Sequence, residues 1–383
     1  MPAGEILSLG ELLDELKVTG QLADLINDPA AQFGTGDIEY EGPKVMPEVL
    51  KEENMYKETQ IKYRSFLAHA GSYYSPAQMS PTGELVGTFN VELGKTDQAD
   101  QLTAEDYKKL MALLNRKQSR EALIAGLNWM DTHILRPHLD LNEKYRWDAI
   151  VDGVIRRVGS NGYLEVVDYP NPAGHRPAPI ASGTVSNPAG WYDQTGAYDP
   201  FDDILAVLDL MDKAGYKCNR ILTGGRKLLS VLAKNPVARE RTSQITINDS
   251  GVIAAKPGRA TTGQLNAYLE DEGAPPIEIY RKTYHTRADG EKTFIPDNAL
   301  VFLASTGLTQ PVDLGSRGVL ELENTLGYFG IGTPADSYQP GRVVNTEVKT
   351  LYPGGFYAEG VQIGLPVLLH PQGIAVLKIA APV

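Results

Sequence analysis

The run from Thr103 to Ala125 holds neither glycine nor proline, and it constrains the chain more than any other stretch. Thr103 suits an N-cap, because its hydroxyl can accept from a first-turn N–H. Glu105 and Asp106 place negative charge at the positive end of the helix dipole. Apolar residues recur at Tyr107, Leu110, Leu114, Ile124, Leu127, Met130 and Ile134, a spacing that lays one stripe along a helix. Pro137 cannot continue the hydrogen-bond ladder, so the pattern predicts a helix from Thr103 to Leu135 that ends or kinks near Arg136. At about 1.5 Å per residue such a helix is roughly 50 Å long, enough to serve as a spine.

With 383 residues, 42% of them hydrophobic, the chain can bury two or three cores. No run is long and apolar enough for a membrane span, and Met1-Pro-Ala-Gly-Glu lacks the pattern of a signal peptide, so a soluble chain made in a cytoplasm is expected. Cys218 is the only cysteine, which excludes a disulfide framework and a cysteine-based zinc site. A net charge of −12 excludes nucleic-acid binding by general basicity. The 38 glycines and 25 prolines indicate many turns among apolar runs that are spread along the whole chain.

Residues 1–30 hold two short leucine-rich amphipathic segments that must dock on something, and Gly34 to Pro47 reads as an arm or linker. Ile61–Leu67 and Leu85–Leu93 suit strands on either side of a long tip, Gly71 to Gly83, rich in turn formers. A lone two-stranded ribbon is marginal in water and exposes unpaired edges, so this one makes most sense when another chain covers it. Val154–Val158 and Tyr163–Tyr169 flank Asn161-Gly162, the strongest hairpin signal in the chain. Five prolines then mark a connector from Pro170 to Gly190. Asp199 as N-cap and Pro200 at the first helical position open a helix ended by Gly215. Arg220–Thr223 reads as a buried strand, Arg226–Lys234 as a helix, and Ile277–Tyr280 and Thr293–Pro296 as strands around the Arg287–Gly290 turn. Leu300–Leu303, Thr346–Leu351, Val361–Leu369 and Ile374–Ile379 are further strands.

Sites for chemistry are few. Thr223-Gly-Gly-Arg-Lys lies between a strand and a helix but lacks phosphate-loop spacing, so it reads as a structural turn. Asp193, Asp199, Asp202 and Asp203 could supply an acid and a base, yet capping and dipole roles already suit two of them. His133 and His138 do not stack on one helical face as metal ligands would. Cys218 reads as a packed thiol. Neither a cofactor, a metal nor a catalytic residue is expected. Arg116, Lys117 and Arg120 lie on the spine as a solvated face or a subunit contact.

Four segments carry a resemblance. Trp191 with Tyr198-Asp-Pro-Phe-Asp-Asp-Ile, Phe294-Ile-Pro-Asp-Asn, Tyr328-Phe-Gly-Ile and the ending Leu365-Pro-Val-Leu-Leu-His-Pro resemble, in order, segments of the lambda-type tailed-phage major capsid proteins (major capsid protein E family). The resemblance implies an α+β chain of the Hong Kong 97 capsid fold. By that analogy residues 1–55 form an N-terminal arm and 56–100 an extended β-hairpin loop. Residues 101–195 form a peripheral domain with the spine helix, and 196–383 an axial domain with a returning peripheral strand near 335–355. It also implies self-assembly as hexamers and pentamers into an icosahedral head located in the virion. Scaffolding, portal and decoration proteins are possible partners, and packaged double-stranded DNA is touched weakly. Tyr73, Tyr74 and Met79 at the loop tip are the expected interface anchors. Arg116, Lys117 and Arg120 are expected to pair with Glu84 and Glu92 of a neighbour. An encapsulin-like nanocompartment shell, and an α/β hydrolase or transferase using the Asp193–Asp203 cluster, stay open as alternatives.

Overall fold

A computed structural model describes residues 39–62, 84–115, 119–159, 163–176, 190–192, 196, 198–242, 260–286, 290–305, 309–323, 325–349 and 355–379. The chain opens with a short helix α1 (Gly42–Val45), strand β1 (Glu48–Leu50), and a ribbon of β2 (Met55–Lys62) and β3 (Glu84–Glu92). Next come β4 (Gly94–Gln101) and the helices α2 (Ala104–Asn115), α3 (Ser119–Met130) and α4 (Arg136–Val151). A hairpin of β5 (Val154–Val158) and β6 (Leu164–Asp168) follows. The second half starts with α5 (Pro200–Lys213), β7 (Cys218–Thr223), α6 (Arg226–Lys234), α7 (Pro236–Thr242), α8 (Thr262–Asp271) and β8 (Ile277–Ile279). It continues with β9 (Thr283–Thr286), β10 (Gly290–Thr293), β11 (Ala299–Ala304), β12 (Thr309–Asp313) and β13 (Val319–Glu323). The last strands are β14 (Gly327–Ile331), β15 (Val343–Lys349), β16 (Gly355–Leu368) and β17 (Ile374–Lys378).

Pro137 does not stop the spine. A π-turn over Asp131–Leu135 comes first, in which the Arg136 N–H reaches back to the Asp131 carbonyl. Pro137 then falls in the first turn of α4, where no N–H donor is needed, and the helix runs on to Val151. Periodicity hides α4 because its inner face is polar: His138, Asn142, Glu143 and Arg146 are buried beside Leu139, Trp147 and Ile150.

Two sheets organise the molecule. In the first, β16 pairs antiparallel with β4, β14 and β15, and β1 joins β14 in parallel. Helix α4 lies against β16 at a distance set by glycine. A Cβ on Gly360 would stand 2.5 Å from Ile134 Cγ2 in the π-turn and 3.0 Å from His138 Nε2 on α4, while one on Gly364 would stand 2.7 Å from the Phe329 ring of the neighbouring strand β14. These glycines, with Pro366, punctuate the sequence of a strand that is nonetheless continuous. In the second sheet the order is β17-β11-β7-β8, with β8 parallel to β7. Every residue of β11 is buried, so it reads as an unbroken apolar run. Helices α5, α6, α7 and α8 pack around this sheet in a core of their own, while Trp147, Tyr328, Phe329 and Val367 belong to the other core.

One expected hairpin is corrected. The strands on either side of residues 287–289, β9 and β10, pair with each other, whereas Ile277–Ile279 pairs with β7. The edges of the second sheet are occupied. The Asn266 side chain accepts from Ile277 N at 3.1 Å on β8. On β17, Val376 N donates to the His175 carbonyl at 2.8 Å and His175 Nδ1 donates to the Ile374 carbonyl at 2.9 Å.

Candidate assembly surfaces

The ribbon β2–β3 is a two-stranded sheet that pairs with no other strand among the described residues. Its root is fastened firmly. Lys51 is 5% exposed, and its ammonium sits 4.6 Å from the Tyr56 ring centroid and 5.1 Å from that of Tyr328. It also donates to the Asp313 carbonyl. Burial lowers the Lys51 pKa and raises that of Glu58 nearby, against the opposing charge each supplies to the other. Tyr328 donates to the Tyr56 hydroxyl at 3.1 Å. Asn54 exchanges two side-chain hydrogen bonds with the backbone of Thr333, at 2.8 and 2.9 Å. One ammonium over two aromatic rings, with the reciprocal bonds of Asn54 and Thr333, fixes the direction in which the ribbon leaves the body.

Beneath that root, a buried polar network ties α4 to the first sheet. Glu48 is wedged between Arg342 and Arg146. Burial works to raise the Glu48 pKa, but the two guanidinium groups and the Asn142 amide outweigh it and hold the carboxyl below its ordinary value. Gln362 accepts from Arg342 Nε at 2.8 Å and donates to Asn142 at 2.7 Å. One turn along, Glu143 accepts from the Trp147 indole at 2.7 Å, the Tyr280 hydroxyl at 2.7 Å and the Gly42 N–H at 3.0 Å. Sequence reasoning missed this network, since its members stand up to 294 positions apart and none lies in a motif.

The residues expected at the interface fall unevenly. Tyr73, Tyr74, Met79, Arg116 and Lys117 lie outside the described residues. Glu84 opens β3 and Glu92 closes it, with Glu92 exposed. Arg120 stands on α3.

The motif segments serve both cores: Trp191, Phe201 and Ile204 lie in the second, and Phe294, Ile295, Tyr328, Phe329, Leu365 and Val367 in the first. Trp191 and Tyr198 both donate to Asp203 Oδ2, at 2.6 and 2.7 Å. Asp199 caps α5 by accepting from Phe201 N at 2.9 Å and ion-pairs with Arg241. Asp202 is 69% exposed beside the same arginine. Asp193 lies outside the described residues. The Gly224-Gly225 turn is filled by Phe294-Ile-Pro-Asp-Asn: a Cβ on Gly224 would stand 1.8 Å from the Ile295 carbonyl oxygen, and one on Gly225 2.3 Å from Asp297 Oδ1. Asn298 binds the backbone of Ile379 in both directions. His133 contacts Asp100 at 2.9 Å on the surface while His138 is buried, so the two do not converge. The Cys218 thiol is buried and pushed up to about 12. Among the described residues no cluster of His, Cys, Asp and Glu could hold a metal, and no helix is long and apolar enough to cross a membrane.

No protein-family model matches the sequence, and no curated protein matches it. Solved structures do. The chain superposes on a capsid protein of an Escherichia coli CFT073 prophage with a TM-score of 0.56 at 15% identity, covering 94% of this chain and 99% of that one. A phage-related protein from Bordetella bronchiseptica aligns with a TM-score of 0.48 at 13% identity, over 92% of this chain and 96% of that one. The capsid of Myoviridae phage XM1 aligns with a TM-score of 0.40 at 10% identity, over 90% and 89%. The chain therefore has the α+β Hong Kong 97 type fold that the prophage capsid protein exemplifies.

Proposed function

We propose that this chain is the major capsid protein of a tailed double-stranded DNA phage, of the lambda type, and that many copies close into an icosahedral head as hexamers and pentamers. The observation that carries the reading is the ribbon β2–β3, anchored at its root and paired with nothing beyond itself among the described residues. The fold shared with a prophage capsid protein over nearly the whole length supports it. In this reading residues 1–55 act as an arm, 56–100 as the extended loop, 101–195 as the peripheral domain and 196–383 as the axial domain. Tyr73, Tyr74 and Met79 anchor the loop tip on a neighbour, whose Arg116, Lys117 and Arg120 meet Glu84 and Glu92. The role is structural, not catalytic: Asp199 and Asp203 are committed to capping, an ion pair and bonds from Trp191 and Tyr198. With a charge of −12 the subunit has no net attraction for phosphate, which leaves packaged DNA mobile. Scaffolding, portal and decoration proteins are the further partners such a head uses, and the virion is its location.

Light scattering after gel filtration, with electron microscopy of the heaviest fraction, tests this. Uniform megadalton shells are expected, with DNA as their cargo in infected cells; cargo protein in place of DNA would make the shell a nanocompartment. Removal of residues 72–84 is expected to leave a folded subunit that forms no shells. A chain that stays monomeric at high concentration overturns the reading.

A further inference from the structure

Two strand edges face each other across an open groove of about 290 Å³. One wall is β3, from Phe89 to Glu92; the other is β6 and its continuation, from Glu165 to Pro170; Leu365 to Leu368 of β16 form the floor. The register shows which backbone groups point into it. Leu93 N donates to the Asn54 carbonyl, so pairs of the same parity, Tyr56–Val91 and Glu58–Phe89, spend their polar groups on β2. Antiparallel pairing alternates, which turns the N–H and C=O of Asn90 and Glu92 outward. On the facing side, Gly159 N donates to the Tyr163 carbonyl and Tyr169 N to that of Gly153. By the same alternation Glu165 and Val167 bond to β5, and Val166 and Asp168 turn their polar groups away from it. Each ribbon is only two strands wide among the described residues.

The β6 wall is tied to the body. Tyr169 donates to the Pro366 carbonyl at 2.7 Å, which sets β6 against the floor. Arg157 crosses from β5 to bind the Lys95 carbonyl and Glu165, in the space that a side chain on Gly94 would fill. Apolar surface continues out of the groove onto the hairpin, where Val166, Leu164 and Val158 are 50%, 65% and 77% exposed. The rim is acidic, with Glu92 and Asp168 exposed.

We propose that this slot takes an extended strand from a second copy of the chain, residues 63–67, which joins β3 to β6 and turns two ribbons into one five-stranded sheet. This rests on the assembly reading and deepens it by naming the seat. Charge selects the occupant. Residues 1–38 carry seven carboxylates and one lysine, and an acidic rim repels them. Residues 63–83 carry no carboxylate, and Tyr63-Arg-Ser-Phe-Leu is a strand-forming run with a cation for the rim. Register excludes the donor's own slot. The chain leaves β2 at Lys62, opposite Glu84, five residues along β3 from Phe89, or roughly 17 Å at about 3.4 Å per residue.

The test uses the full chain under conditions in which wild type forms shells. Val166→Pro removes one outward N–H and no bond to β5, so circular dichroism is unchanged while the yield of shells falls about tenfold or more, as loss of one edge bond worth roughly 1.4 kcal/mol requires. In a parallel experiment, Val166→Cys and Ser65→Cys chains are mixed before assembly. The native Cys218 is buried, so the introduced thiols report alone. A covalent dimer on a non-reducing gel, formed in the mixture and not with a Ser8→Cys partner, is expected. Normal shells from Val166→Pro, or no dimer in wild-type-like shells, or a dimer with Ser8→Cys instead, overturns the slot while leaving the capsid reading in place. Failure of wild type itself to assemble counts against the capsid reading.

Discussion

The Trp191 indole donates to the Asp203 carboxylate at 2.6 Å, across twelve residues of chain, and Tyr198 donates to the same oxygen. One carboxylate thus gathers the end of the proline-rich connector onto the first turn of α5. Asp203→Asn is expected to destabilise the subunit by about 1.5–3 kcal/mol, the range for hydrogen bonds to a charged acceptor. Asp202→Asn, at a largely exposed position, is expected to change it by less than about 0.5 kcal/mol. Paired denaturant titrations check this; equal effects would remove the anchoring role from Asp203.

Glu48 and Arg342 make a second testable pair. Arg342→Met leaves a buried carboxylate with one guanidinium fewer and is expected to cost about 3–5 kcal/mol. Adding Glu48→Gln in the same chain should recover part of that, which a double-mutant cycle measures. The sign of the pH effect follows from the lowered Glu48 pKa. Its contribution is present above the ordinary value of 4.5 and is lost as pH falls through the lower folded value.

Two buried histidines act over a higher range. His138 and His370 are pushed down to about 4, His138 by burial and then by Arg342, His370 by burial. The unfolded chain takes up these protons near 6.5 and the folded one does not until about 4. Stability therefore holds above pH 6.5 and declines between 6.5 and 4, by on the order of 3 kcal/mol for His138. The melting temperature of His138→Asn should vary less with pH over that window; an unchanged slope would exclude His138 as its source.

Glycines separate packing from helix propensity. Gly224→Ala drives a methyl into the Ile295 carbonyl and is expected to cost at least about 1–3 kcal/mol. Gly263, early in α8, has open space around its Cβ position, so Gly263→Ala is expected to stabilise by about 0.5–1 kcal/mol. Thermal unfolding of both variants checks the opposite signs.

Legibility followed locality. The cap at Asp199 with Pro200, the strands around Asn161-Gly162 and the apolar run of β11 each depend on neighbours in sequence, and the structure has α5, β5–β6 and β11 there. The second half of the spine did not announce itself, because α4 turns His138, Asn142, Glu143 and Arg146 inward to meet residues from β1, β16 and the loop before β15. Nor did the length of β16, whose glycines are read as breaks until the neighbours packed against them, Gln101, Ile134 with His138, and Phe329, are known. The groove between β3 and β6 belongs to the same group, since only the fold brings its walls together.

Asn266 and His175, which sit on the outer backbone of β8 and β17, set a limit on how copies of this chain can associate. A sheet with a bare margin templates strand addition, and copies at high local concentration would then stack into fibres. With Asn266 and His175 on those margins, backbone groups that an added strand would need are already taken, and copies of the chain must meet through other surfaces.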